Sequence, residues 1–153
     1  MTRFHFLVGT FVASLFLSLA AAAQIECGLT EAQVTEPQDG ATLYIHGGVD
    51  AFSLFVEAIT DCPDDTARVE FFTQFEGVAA QSAGVDREPP YAAIVEFATN
   101  ITEEKQLTVS VTASSSTLGT PVARDEIVLT LTPVTAAMDT DENGLPDEPF
   151  KVL

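Results

Sequence analysis

Between Val34 and Thr132 apolar and polar residues alternate with a period of two, in runs rich in Val, Ile, Thr and Phe. Clusters of Gly, Pro, Asp or Ser break these runs about every ten residues. A period of two sends successive side chains to opposite faces of an extended chain, whereas a helix needs an apolar residue every three to four positions. No helical period persists, so the chain is expected to be all-β. Strands are expected near Ala32–Glu36, Thr42–His46, Phe52–Thr60, Ala67–Phe75, Ala79–Ser82, Tyr91–Ala98, Gln106–Ala113 and Val122–Leu131. Evenly spaced short strands of this kind predict a β-sandwich, here an antiparallel one of about seven to eight strands.

The alternation also predicts which residues face inward. Leu54, Val56 and Ala58 form one buried set, Val69, Phe71 and Thr73 a second, Leu107, Val109 and Val111 a third, and Ile127, Leu129 and Leu131 a fourth. Phe55 and Ile59 oppose the first set and Phe72 the second, so those two strands are expected to be central or covered at one end. The breaks carry turn chemistry: Pro37-Gln38-Asp39-Gly40, Gly47-Gly48, Asp61 to Asp65 with Pro63, and Glu88-Pro89-Pro90 ahead of Tyr91.

The first 23 residues follow a different logic. Arg3 and His5 precede an uncharged apolar run that closes on Ala20-Ala21-Ala22-Ala23, with small residues at Ala21 and Ala23 in the A-x-A arrangement of a signal-peptidase site. A cleaved leader ending at Ala23 is expected. An uncleaved anchor is the alternative, because the run from Phe6 to Ile25 is just long enough to span a bilayer. Lipid attachment at Cys27 is rejected, since Glu26 stands where a small or apolar residue is required. In an exported chain the even pair Cys27 and Cys62 is expected to be oxidised. An opening strand that runs antiparallel to its partner begins where the partner finishes, and the two cysteines sit at those places.

Charge narrows the partners. The chain has 23 acidic and 6 basic residues, a net charge of -17, which repels phosphate backbones and anionic headgroups. Removing the leader takes Arg3 and no acid, leaving 23 acids against 5 bases and a net charge of -18. No nucleic acid partner, and no membrane insertion after cleavage, is expected. One mature histidine, His46, and two bridged cysteines cannot assemble a transition-metal cluster or a nucleophilic triad. The chain is therefore expected not to be an enzyme, although composition does not exclude paired carboxylates of the glycosidase kind.

Several segments resemble bacterial immunoglobulin-like modules of exported proteins: Val34-Thr35-Glu36-Pro37-Gln38-Asp39-Gly40-Ala41-Thr42, Val69-Glu70-Phe71-Phe72, Pro90-Tyr91, and Leu107-Thr108-Val109-Ser110-Val111-Thr112-Ala113. The resemblance spans about Gln33 to Pro133 and implies an immunoglobulin-like sandwich serving as a spacer, display or adhesive unit in the periplasm or at a cell surface. Such modules keep a short turn after the Val-Glu-Phe strand. Here Phe75-Glu76-Gly77 leads into a longer Ala79 to Gly84 segment, so a fused or altered hairpin is expected.

Past the last strand, residues 134–153 form a linker with the run Asp139-Thr140-Asp141-Glu142-Asn143-Gly144-Leu145-Pro146-Asp147. Oxygen donors at alternate positions, with a glycine at the sixth, let a chain wrap a hard cation. Asp139, Asp141 and Asn143 would give side-chain oxygens, Leu145 its carbonyl, and Asp147 the ninth-position contact. The run resembles thrombospondin type 3-like calcium repeats, which implies Ca²⁺ binding; a single copy with no Glu at the twelfth position sets the expected dissociation constant at about 10⁻⁴ to 10⁻³ M. Phe150 stands at the twelfth position where a helical calcium loop has Glu, so a paired-helix hand is not expected. Without a metal the run would read as a solvated acidic tail.

Other candidates have plainer readings. His46-Gly47-Gly48 lacks the Gly-x-Ser-x-Gly partner of an esterase loop and reads as a strand-end turn. Asp61, Asp64 and Asp65 would make either a second cation site or an acidic turn. A small glycan-binding module using Tyr44 or Tyr91 is the alternative function, and the N-terminal accessory domain of a larger extracellular enzyme is a third. Asn100-Ile101-Thr102 is a glycosylation sequon, relevant only to a host with an endoplasmic reticulum.

Overall fold

A computed structural model describes residues 27–46, 50–135, 137–142 and 147. The leader and its cleavage point lie outside the described residues, as do Gly47, Gly48, Asn143 and Leu145. Among the described residues no helix is long and apolar enough to cross a membrane.

The chain forms eight strands among the described residues: β1 Ala32–Glu36, β2 Thr42–His46, β3 Phe52–Thr60, β4 Thr66–Phe75, β5 Gln81–Asp86, β6 Tyr91–Phe97, β7 Lys105–Ser115 and β8 Pro121–Val134. A single 3₁₀ turn, Pro63–Asp65, joins β3 to β4, with Pro63 fixing φ at its start. The strands make two sheets, ordered β1-β3-β6 and β2-β8-β7-β4-β5. In immunoglobulin lettering these are A-B-E and A′-G-F-C-C′, with no strand D between β5 and β6. The fold is an immunoglobulin-like β-sandwich, antiparallel in every ladder of the described residues but one; the strand spacing led one to expect the sandwich and the family resemblance its immunoglobulin-like form.

Its core is the set of residues that alternation placed inward. Leu54, Val56 and Ala58 from one sheet meet Val69, Phe71, Leu107, Val109, Val111, Ile127, Leu129 and Leu131 from the other, and all are buried. Phe52 stacks on Phe97 at 4.7 Å, and Phe75 meets Phe97 edge-on at 5.6 Å, closing one end of the sandwich. Burying a side chain such as Phe71 or Leu129 contributes about 1.5–3 kcal/mol relative to leaving it in water.

One kink lets the first strand serve both sheets. After Glu36 the chain turns through Pro37 to Gly40, whose φ of 75° suits a residue without Cβ, and re-enters as β2 on the opposite sheet. Gly40 N–H donates to Val128 O at 2.9 Å, and Val128 N–H donates to Asp39 Oδ1 at 2.8 Å, holding the crossing against β8. β2 then runs parallel to β8, from Thr42 opposite Thr130 to His46 opposite Val134. That pairing carries β8 three residues beyond the expected end at Leu131.

One sequence expectation needs correction. The fifth strand is Gln81–Asp86 rather than Ala79–Ser82, because the β4–β5 register shifts between Phe71 and Phe72 and pairs Val69 with Asp86. This is the altered hairpin. β3 and β4 are each flanked by neighbours on both sides, as expected of central strands, and the outward Phe55 and Ile59 are 52% and 47% exposed.

Candidate functional site

Cys27 and Cys62 are joined by a disulfide with Cα atoms 5.7 Å apart, at the end of the sandwich where β1 begins and β3 finishes. Disulfides persist in oxidising compartments, which points to an extracytoplasmic setting. Cys62 is fully buried.

The acids around this bridge are structural acceptors. Asp61 accepts hydrogen bonds from Thr30 N–H and Oγ1 and from Glu31 N–H. The Thr30 hydroxyl and the two amides favour the charged carboxylate and hold Asp61 below its ordinary range. Asp65 accepts from Leu29 N–H at 3.0 Å, Thr117 N–H at 3.0 Å, Thr117 Oγ1 at 2.7 Å and the hydroxyls of Ser115 and Ser116. Led by the Leu29 amide, these donors push the Asp65 carboxyl far below the usual value. Asp65 thus ties the opening segment, the β3–β4 turn and the β7–β8 turn into one joint. These residues form an internally bonded acidic turn, the plainer of the two readings. Asp86 does similar work in the turn from β5 to β6: it accepts from Ala92, Glu88 and Arg87 amides, and the Ala92 bond leads in lowering its pKa.

The third acidic group differs, because its carboxylates converge on one another. Beyond β8 the chain makes a turn in which Met138 and Asp139 N–H donate to Thr135 O. Glu142 takes a left-handed φ of 59°, and Asp147 returns to donate its N–H to Met138 O at 2.6 Å. Thr140 N–H and Oγ1 bond the Asp147 carboxylate. This return places carboxylate oxygens of Asp139, Asp141 and Asp147 all within 4.8 Å of one another, the one such group of three among the described residues. Asp139 is buried, Asp141 is exposed and Asp147 is half-buried. Three carboxylates at that spacing repel by about 1 kcal/mol per pair even at the dielectric constant of water. Chemically, the cluster is able to hold a hard cation through oxygen.

Tyr91 corrects the glycan reading. It is 1% exposed, so its ring is core rather than a sugar platform; Tyr44 is half-buried in β2. The Tyr91 hydroxyl is buried with no hydrogen-bond partner. The aromatic after Pro89-Pro90 carried no period-two context on its N-terminal side, and only its immediate successors placed it in a strand.

No protein-family model matches the sequence, and no curated protein matches it. Solved structures with a similar course include superoxide reductase (neelaredoxin) from Ignicoccus hospitalis, at 10% identity over 68% of this chain and 82% of that chain, with a TM-score of 0.46. Murine CRIg matches at 9% identity over 68% of this chain and 98% of that one, with a TM-score of 0.41. The ASH/PapD-like domain of human CEP192 matches at 10% over 86% and 99%, with a TM-score of 0.43. None of these likenesses carries a residue-level or functional argument to this chain.

Proposed function

We propose that this protein is an exported, non-catalytic immunoglobulin-like module of a bacterial periplasm or cell surface, acting in spacing, display or adhesion. Its C-terminal end carries a calcium loop. The observation that carries this reading is the return of Asp147 onto Asp139 and Asp141, an arrangement that brings three carboxylates within reach of one cation. Oxygen-only donors favour Ca²⁺ over transition metals, and Asn143 and Leu145 lie in the chain between the three acids, at positions suited to complete the shell.

In this mechanism Asp139, Asp141 and Asp147 would hold the Ca²⁺, which would offset two of their three negative charges and so order the segment after β8 against the sandwich. The loop is short of carboxylates and present in one copy, so the affinity belongs to the weak extracellular class, about 10⁻⁴ to 10⁻³ M.

Calorimetric titration at low ionic strength tests it. Calcium heat is expected in the wild type and is lost in Asp141→Ala, and Ca²⁺ protects the C-terminal tail from proteolysis. Absence of heat in the wild type, unchanged heat in Asp141→Ala, or tail cleavage indifferent to Ca²⁺ would remove the calcium part of the reading.

A further inference from the structure

The outer face of the three-stranded sheet combines two features that a solvated surface has no use for. Phe55 on β3 and Ile94 on β6 are direct cross-strand partners, 52% and 68% exposed. Ile59, 47% exposed, lies four residues along β3 on the same face, roughly 13 Å away. On the three strands of that sheet the charge is of one sign, the nearby Arg87 lying in the turn before β6. Glu36 on β1 stands directly opposite Glu57 on β3, and Asp61 N–H bonds Glu31 O, so Glu31 and Asp61 form a second acidic pair. Glu96 closes the other end, opposite Ser53. Strands β1, β3 and β6 contain no Lys or Arg, while Arg68, Lys105 and Arg124 all lie on the five-stranded sheet.

Like charges directly opposite in a ladder cost stability, and exposed Phe and Ile gain none. Both are relieved by the same occupant. We propose that this face docks a protein surface with an apolar centre and a rim of Lys or Arg, the centre covering Phe55, Ile94 and Ile59 and the rim meeting Glu31, Glu36, Glu57, Asp61 and Glu96. A second copy of this chain brings five more acids to the face and is disfavoured by its own charge. An anionic lipid surface is disfavoured likewise. Addition of a partner strand at the β6 edge is blocked at its N-terminal end, where Asp86 already accepts the Ala92 N–H at 3.0 Å. The apolar and acidic groups that a partner would meet lie on the face and not along that edge. This inference stands apart from the calcium reading, since no residue of the acidic loop takes part.

The test uses the full chain and three octapeptides: alternating lysine and valine, alternating lysine and serine, and alternating glutamate and valine. Binding is read by calorimetry and located by amide chemical shifts. The lysine–valine peptide is expected to bind best, with shifts confined to β1, β3 and β6. Phe55→Ser with Ile94→Ser should weaken it at least about tenfold, and both sites are exposed, so the fold is retained. Glu36→Gln with Glu57→Gln should weaken it and flatten its salt dependence, whereas Glu70→Gln with Glu126→Gln, an equal charge change on the other sheet, should not. Equal losses from the two glutamate pairs, indifference to Phe55 and Ile94, shifts on the five-stranded sheet, or no binding would each overturn the proposal. So would sedimentation showing a dimer that Phe55→Ser with Ile94→Ser dissolves.

Discussion

Replacing both cysteines, Cys27→Ala with Cys62→Ala, should cost about 4 kcal/mol of stability. The bridge closes a separation of 35 residues, for which the chain-entropy relation gives about 3.8 kcal/mol at 25 °C. Alanine is the better test than serine because Cys62 is fully buried, and a hydroxyl there would add a desolvation cost of its own. The native end should survive the change. Leu29 N–H remains bonded to Asp65, and Thr30 and Glu31 remain bonded to Asp61, so the opening segment still has its non-covalent attachments. The loss therefore resides chiefly in the freed unfolded chain. Urea unfolding followed by circular dichroism, at an m-value of about 2 kcal/mol/M, should show the midpoint falling by roughly 2 M with native strand content kept before the transition. A loss below about 1 kcal/mol would refute the argument, since it would mean that the unfolded chain is already compact around this loop. Strand content lost in the absence of urea would refute it from the other side, showing that the hydrogen bonds to Asp61 and Asp65 cannot hold the end.

Other expectations follow from single residues. Tyr91→Phe removes a buried hydroxyl without a partner and should leave the protein as stable or raise it by up to about 1 kcal/mol in the same urea assay; a loss above 1 kcal/mol would reveal a hidden partner. Phe71→Ala, in the middle of the core, should cost about 3–5 kcal/mol, and less than 2 would show that the sheets close over the gap. Asp65→Asn should destabilise, with a pH signature set by its lowered pKa. Stabilisation by the ionised group is complete above the unfolded value, about pH 4, and is lost as pH falls through the lower folded value. The midpoint gap between wild type and Asp65→Asn should thus be constant from pH 7 to about 5 and narrow under stronger acid, and a gap that widens on acidification would contradict the assignment.

The sandwich was legible because its signal is local. Leu107, Val109 and Val111 alternate with Thr108 and Ser110, and nothing distant is needed to see which face they bury. β5 was misplaced because Gln81 to Asp86 lacks that contrast, with Ala83 and Gly84 at its centre, and its bounds come from pairing with β4. β8 ran past its expected end for a similar reason, since Pro133 and Val134 are held by β2, about ninety residues earlier in the chain. The acidic loop could be read as spacing, and Asp139, Asp141 and Asp147 come together in space. The work of Asp61 and Asp65 could not, because their donors lie 30 to 52 residues away and amide N–H groups leave no mark in a sequence.

The direction shared by β2 and β8 has a mechanical consequence. Tension applied between the two termini draws β2 from its first residue and β8 from its last, in opposite senses along a common axis. The pairs from Thr42–Thr130 to His46–Val134 are then loaded in shear and must give way together, not peel one at a time. The covalent bridge at Cys27 passes part of any pull straight to the turn before β4. Lengthwise load on the fold thus falls on the ladder between β2 and β8 and on the bridge, while the antiparallel hairpins carry little of it.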